Sequence, residues 1–100
     1  PTGPGLMALK AYGNKRDDNE PGIIRALEQA FCTVYPLDRP LDLLVGRMTP
    51  EGPRCYLLEV KKPGVGRLTK DQREFIKTWR GHFAVVTSEA EALEAVGIKP

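Results

Sequence analysis

The sequence predicts an α/β domain of element order αβββαβα, with a mixed sheet of about four strands, helices packed against it and a short helix at the C-terminal end. Three observations carry this prediction. An apolar i, i+3, i+4 rhythm runs through Ile23, Ile24, Leu27 and Phe31. Three β-prone runs follow, separated by Pro- and Gly-containing segments. A strand, helix, strand passage then approaches the end of the chain, and such a passage normally makes a right-handed parallel crossover.

Residues 8 to 18 are polar and are expected to be poorly ordered, ending in Asp17-Asp18. The residues before Met7 read as a cloning remnant, so residues 1–18 are expected to form a flexible N-terminus and 19–100 the domain. Asn19 can cap the first helix, with Glu20 and Pro21 in its first turn, where proline's missing N–H costs nothing. The helix runs to about Phe31, and its apolar stripe extended back one turn lands on Glu20, which should face inward. Arg25 and Glu28 fall on the solvated side. The strand candidates are Cys32 to Tyr35, Leu41 to Val45, and Cys55 to Val60 or Lys61. Pro50, Gly52 and Pro53 make Arg47 to Arg54 a loop joining the last two as an antiparallel hairpin. The Lys62 to Arg67 segment, with Pro63, Gly64 and Gly66, cannot continue a strand. Thr69 opens a second helix with Gln72 as its capping-box partner. Its apolar stripe is Phe75, Ile76 and Trp79, with Gln72 at the start, and Arg73, Lys77 and Arg80 form the other face. After Gly81, the run His82 to Thr87 reads as a buried strand. Ser88 and Glu91 make another capping box, opening a short helix that stops at Gly97.

The 100 residues, 41% hydrophobic and 28% charged, suit one ordinary globular domain rather than a disordered or fibrous chain. No apolar run approaches the roughly 18 residues of a bilayer span and no signal-peptide pattern appears, so a cytosolic protein without membrane contact is expected. Cys32 and Cys55 are too few for a disulfide framework, make no zinc signature with the lone His82, and are expected to be buried strand thiols. Net charge is only +2, but between Lys61 and Arg80 seven basic residues stand against two acids. Such a segment beside carboxylates suits a phosphodiester substrate, although a solvated helix face would look the same.

Strand alternation places Leu57, Glu59 and Lys61 on one face of the third strand. Asp42 shares its face with Leu44 in the preceding strand, so a hairpin in suitable register sets Asp42 beside Glu59. Two close carboxylates repel, and a divalent cation resolves the conflict. Mg²⁺ takes a few carboxylate oxygens and leaves positions for water and phosphate. Asp42, Glu59 and the carbonyl of Val60 would supply the oxygens, Glu20 would reach the ion through water, and Lys61 would orient the hydrolytic water or offset charge on phosphorus. A bare E-x-K arises by chance in roughly a third of chains this long, so alone it carries little. An edge strand with alternating charges or a surface salt bridge would explain it as well. The convergence of Asp42, Glu59, Glu20 and Gln72, each turned inward by its own element, points to the metal site.

The runs Leu41-Asp42-Leu43-Leu44-Val45-Gly46, Tyr56-Leu57-Leu58-Glu59-Val60-Lys61, Leu68-Thr69-Lys70-Asp71-Gln72-Arg73-Glu74-Phe75 and Phe83-Ala84-Val85-Val86 together resemble the VRR-Nuc branch of the PD-(D/E)XK nucleases over about residues 19 to 96. The L-T-x-x-Q-x-x-F element is the more specific part. The resemblance implies a restriction-endonuclease-like αβββαβ core, Mg²⁺ or Mn²⁺ on Asp42 and Glu59, Lys61 as catalytic lysine, and contributions from Gln72 and Glu20. It implies a phage or prophage type of enzyme acting in the bacterial host cytoplasm, as a homodimer, on branched double-stranded DNA, above all four-way (Holliday) junctions. Pro40 precedes Asp42 by two positions rather than one. Asp38, in a loop between Pro36 and Pro40, is the alternative acid and the poorer rigid ligand. Lys62 turns to the other strand face and, with Arg67, Lys70 and Arg73, is a candidate phosphate contact. Gln72 can close the helix end, hydrogen-bond within the site, or do both. Phe75 and Trp79 are read as core residues rather than base-stacking platforms. Rival readings are a non-catalytic DNA-binding module of the same fold and a flap- or restriction-type endonuclease.

Overall fold

A computed structural model describes residues 17–64 and 66–99. The elements are α1 (Glu20–Gln29), β1 (Thr33–Pro36), β2 (Leu43–Thr49), β3 (Gly52–Val60), α2 (Lys70–Thr78), β4 (His82–Val86) and α3 (Glu89–Ala95). The strands form one sheet in the order β1-β2-β3-β4, antiparallel across the first three and parallel between β3 and β4. The αβββαβα order and the mixed four-stranded sheet are those read from the sequence. Residues 1–16, expected to be poorly ordered, lie outside the described residues. Asp17 and Asp18 lead directly into α1, the Asp17 carbonyl accepting the Glu20 N–H at 3.0 Å.

The core occupies one face of the sheet. Ile23, Ile24 and Leu27 of α1 and Ala92 of α3 pack with Leu43, Val45, Leu58, Val60 and Val86 from the strands. Each fully buried Leu, Ile or Val contributes about 1.5–3 kcal/mol through the surface it removes from water. Alternation then turns Leu57 and Glu59 of β3, and Phe83 and Val85 of β4, to the opposite face. Leu57 and Glu59 are buried there, whereas Phe83 and Val85 are exposed. β4 is thus an edge strand covered on one face, not the buried strand its apolar sequence predicts.

Several local expectations are corrected. β2 and β3 do not end in a long loop. They continue to the pair Thr49↔Gly52 and close through the two residues Pro50 and Glu51. Gly52 has φ +115°, a conformation that favours glycine, and the Thr49 hydroxyl donates to its carbonyl at 2.7 Å. Phe31 does not extend the buried stripe of α1. The helix closes with the Phe31 N–H on Glu28 O and the Cys32 N–H on Leu27 O, both at 3.0 Å, and Phe31 occupies the left-handed position (φ +70°) usual for glycine. That reversal turns Phe31 out to 93% exposure and turns Cys32 in. Cys55 is exposed because it lies on the sheet face that the core does not cover, so only Cys32 is the buried thiol expected. α2 buries no residue; Phe75 and Ile76 are half-buried and Trp79 is exposed, its ring stacked on Phe75 with centroids 5.3 Å apart. The expected core role of Trp79 therefore gives way to a local one, its indole N–H bonding the His82 carbonyl at 3.2 Å.

Both C-terminal elements begin at the predicted caps. Thr69 and Gln72 form the full reciprocal capping box of α2. Ser88 accepts the Glu91 N–H at 3.1 Å, but the Glu91 carboxylate reaches past Ser88 to the N–H and hydroxyl of Thr87, at 2.7 and 2.8 Å. α3 ends with Gly97 at φ +85°. No helix among the described residues is long and apolar enough to cross a membrane.

Candidate active site

The parallel pair β3 and β4 carries the candidate centre at its C-terminal end. Lys61 stands one residue beyond β3, yet its N–H still bonds Val86 O at 3.0 Å, so strand alternation continues through it. Glu59 and Lys61 therefore share a face as predicted, and their side chains meet as an ion pair with Nζ and Oε2 3.1 Å apart. The pair is withdrawn from water, with side-chain exposures of 17% for Lys61 and 4% for Glu59. The other carboxylate oxygen, Oε1, is buried and has no hydrogen-bond partner among the described residues. A buried acceptor in that state costs about 1–3 kcal/mol. A water or a hard cation would satisfy it, and a carboxylate oxygen is a donor of the type such cations take.

Asp42 reaches β3 by a route different from the one expected. β2 starts at Leu43 rather than Leu41, and Asp42 occupies the bend before it. The Asp42 carbonyl accepts the Leu37 N–H at 2.6 Å, closing the β1–β2 loop. Its carboxylate Oδ2 accepts the Val60 N–H at 2.8 Å, supplying to β3 the acceptor that a longer β2 would have offered. Since Leu43 pairs with Leu58, the register extended by one step sets Asp42 level with Glu59. Asp38 is exposed in the intervening loop. Glu20 faces inward at 3% exposure. Among the described residues, no three His, Cys, Asp or Glu side chains gather in a group able to hold an ion.

Gln72 performs its cap. Its Oε1 accepts the Thr69 N–H at 3.0 Å, which leaves the side-chain NH₂ as the group it can offer to a ligand. It lines a cavity of about 340 Å³ with Thr69, Asp71, Asp38, Arg39 and Pro40, next to the loop that ends in Asp42. Lys62 turns away from Lys61, its Nζ lying 3.9 Å from Asp18. Arg67, Lys70 and Arg73 are all exposed, and Arg73 is anchored by a 2.8 Å bond to Leu68 O.

Two residues to which the sequence reading gave no place in the site, Gly66 and the expected helix cap Asn19, lie against Lys61. A methyl group built on Gly66 would lie 2.5 Å from Lys61 Cβ and 3.0 Å from Cδ, so the loop after β3 lies directly on the lysine stem and only glycine fits. The spacing Lys61-x₄-Gly66 was the available signal. Asn19 stands at the N-terminal cap position of α1 but makes no side-chain cap bond. Its Nδ2 instead donates to Lys61 O at 3.1 Å and to Thr87 O at 2.9 Å, and its Oδ1 is buried without a partner among the described residues. Cys32 lies outside the site; burial pushes its thiol pKa up, against an opposing pull from Arg47.

In comparisons with known proteins, no family model, no curated protein and no solved structure matches the chain.

Proposed function

We propose that this chain is a Mg²⁺- or Mn²⁺-dependent DNA endonuclease with a restriction-endonuclease-like core, hydrolysing phosphodiester bonds in branched DNA, four-way junctions foremost, as a homodimer. The observation that carries the reading is Glu59: a carboxylate 3% exposed, with one oxygen on the Lys61 ammonium and the other orphaned. Asp42, level with it across the hairpin, and the sequence resemblance to the VRR-Nuc nucleases support the same reading.

Asp42 and Glu59, with the Val60 carbonyl, would hold the ion, and Glu20 would contribute through water. The bound ion supplies Lewis acidity toward the phosphodiester and a more acidic water. Glu59 fixes the Lys61 ammonium, and Lys61 orients the attacking water and offsets negative charge developing on phosphorus. The NH₂ of Gln72 offers a donor to a phosphate or water in the adjoining cavity. Lys62, Arg67, Lys70 and Arg73 contact backbone phosphates, which positions DNA without reading its sequence.

The test is incubation of the purified protein with labelled four-way, flap and linear duplex DNA, with and without Mg²⁺ or Mn²⁺. Metal-dependent incision of the four-way substrate is expected. Salt-sensitive binding with every substrate intact would instead identify a non-catalytic DNA-binding module, and preferred incision of flap or linear DNA would remove the junction assignment. A solution mass of one chain would remove the homodimer.

A further inference from the structure

We infer that Asn19 is a positioning residue for Lys61, gripping the backbone at the point where β3 and β4 end. The inference rests on the nuclease reading for its catalytic consequence, and on hydrogen bonding alone for the grip.

Asparagine is among the most favourable N-cap residues because its side-chain oxygen can accept an N–H of the first helical turn. Asn19 occupies that position and forgoes the bond. It has helical backbone angles (φ −82°, ψ −9°), which carry its side chain away from the helix end and toward the sheet. There the two amide hydrogens are divided between Lys61 O and Thr87 O, at 3.1 and 2.9 Å. These carbonyls belong to the residues immediately following β3 and β4. The Lys61 N–H to Val86 O bond is the last backbone hydrogen bond between the two strands among the described residues, and Asn19 joins them one step beyond it.

The chemistry selects the residue. Two carbonyls need two donors on a short stem, and an asparagine side chain supplies both from one nitrogen. Serine or threonine has one, aspartate has none and would set its charge against two carbonyl oxygens. Lys61 is thereby held from two sides: Asn19 fixes its carbonyl, and Gly66 bounds its methylenes. Together they restrict where Nζ can meet Glu59 Oε2.

The experiment compares wild type with Asn19→Ala and Asn19→Ser by amide hydrogen exchange and by DNA-cleavage kinetics. In Asn19→Ala, the Lys61 amide is expected to exchange at least tenfold faster while that of Leu27, in the core of α1, keeps its wild-type rate. The kcat for junction cleavage should fall 10- to 100-fold with KM unchanged, since the phosphate contacts are untouched, and Asn19→Ser, with one donor, should recover part of the loss. Unchanged Lys61 protection in Asn19→Ala overturns the inference whether or not the protein cleaves DNA. Faster exchange with an unchanged kcat, or a loss confined to KM, overturns the positioning role. A wild type that cleaves nothing overturns the nuclease reading and leaves the grip to be decided by the exchange rates alone.

Discussion

The carboxylate of Asp42 accepts the backbone N–H of Val60 at 2.8 Å, so an acid of the candidate site also completes the sheet. Structure and chemistry can be separated at this residue. Asn keeps an oxygen for the Val60 N–H and removes the charge, whereas Ala removes both. Asp42→Asn should unfold within about 1 kcal/mol of wild type in urea, while Asp42→Ala should lose about 1–3 kcal/mol through the unsatisfied buried N–H. Calorimetric titration with Mn²⁺ should show weakened binding in both. Equal stability losses for the two variants would contradict the double role.

A ligand that binds only the folded chain raises its stability, by about 2.7 kcal/mol at a hundredfold excess over Kd. Wild-type protein should therefore melt higher as Mg²⁺ or Mn²⁺ is added. Glu59→Gln should lose that rise, since the amide removes the charge from the orphaned oxygen position. A melting temperature that responds to metal equally in both would move the ion away from Glu59.

Gly66 lies against the Lys61 stem with no room for a methyl group. Gly66→Ala should displace the ammonium from Glu59 and lower kcat about 10-fold or more, in keeping with the cost of small misplacements of reacting groups. Because the shift takes the ion pair from the buried Glu59 carboxylate, stability should fall as well, by about 1–3 kcal/mol. Wild-type kcat in this variant would show that the loop yields without moving the lysine.

Two hydrogen bonds from Thr87, the N–H and the hydroxyl, hold the Glu91 carboxyl below its usual pKa. In the window between the lowered folded value and the ordinary value near 4.3, the unfolded chain binds more protons than the native one. Glu91 therefore adds stability above about pH 4.3, and the contribution fades as pH falls through the folded value. Glu91→Gln should be less stable than wild type at neutral pH and approach it in acid. Denaturant unfolding of both proteins at pH 7 and at pH 3 measures this, and a gap that stays constant or widens in acid would contradict it.

What could be read from the sequence was set by local rules. Alternation put Glu59 and Lys61 on one face, the cap pattern placed Thr69 and Gln72, and helical spacing turned Glu20 inward; each involves residues near one another in the chain. The misreadings arose where a distant partner outbid the local preference. Asn19 has the side chain of a cap, but two carbonyls 42 and 68 residues away take its donors. Phe31 is a local exception: it continues an apolar stripe, but α1 ends two residues early at Gln29, and the left-handed backbone at Phe31 turns it to solvent. Asp42 looks like a strand residue, and its bond to the Val60 N–H instead lets β2 begin after it. The apolar residues of α2 and β4 predicted burial because periodicity reports which face a residue shares, not whether another element covers that face.

The central claim is that Asp42, Glu59 and Lys61 form a metal-dependent phosphodiester-hydrolysing centre. The most direct test is cleavage of an end-labelled four-way junction by wild type and Lys61→Ala across a Mn²⁺ titration, with binding followed in parallel by mobility shift. The account predicts incision by wild type that requires the metal, and junction binding without measurable incision by Lys61→Ala. An intact junction with wild-type protein at every metal concentration, or equal incision by both proteins, would contradict it.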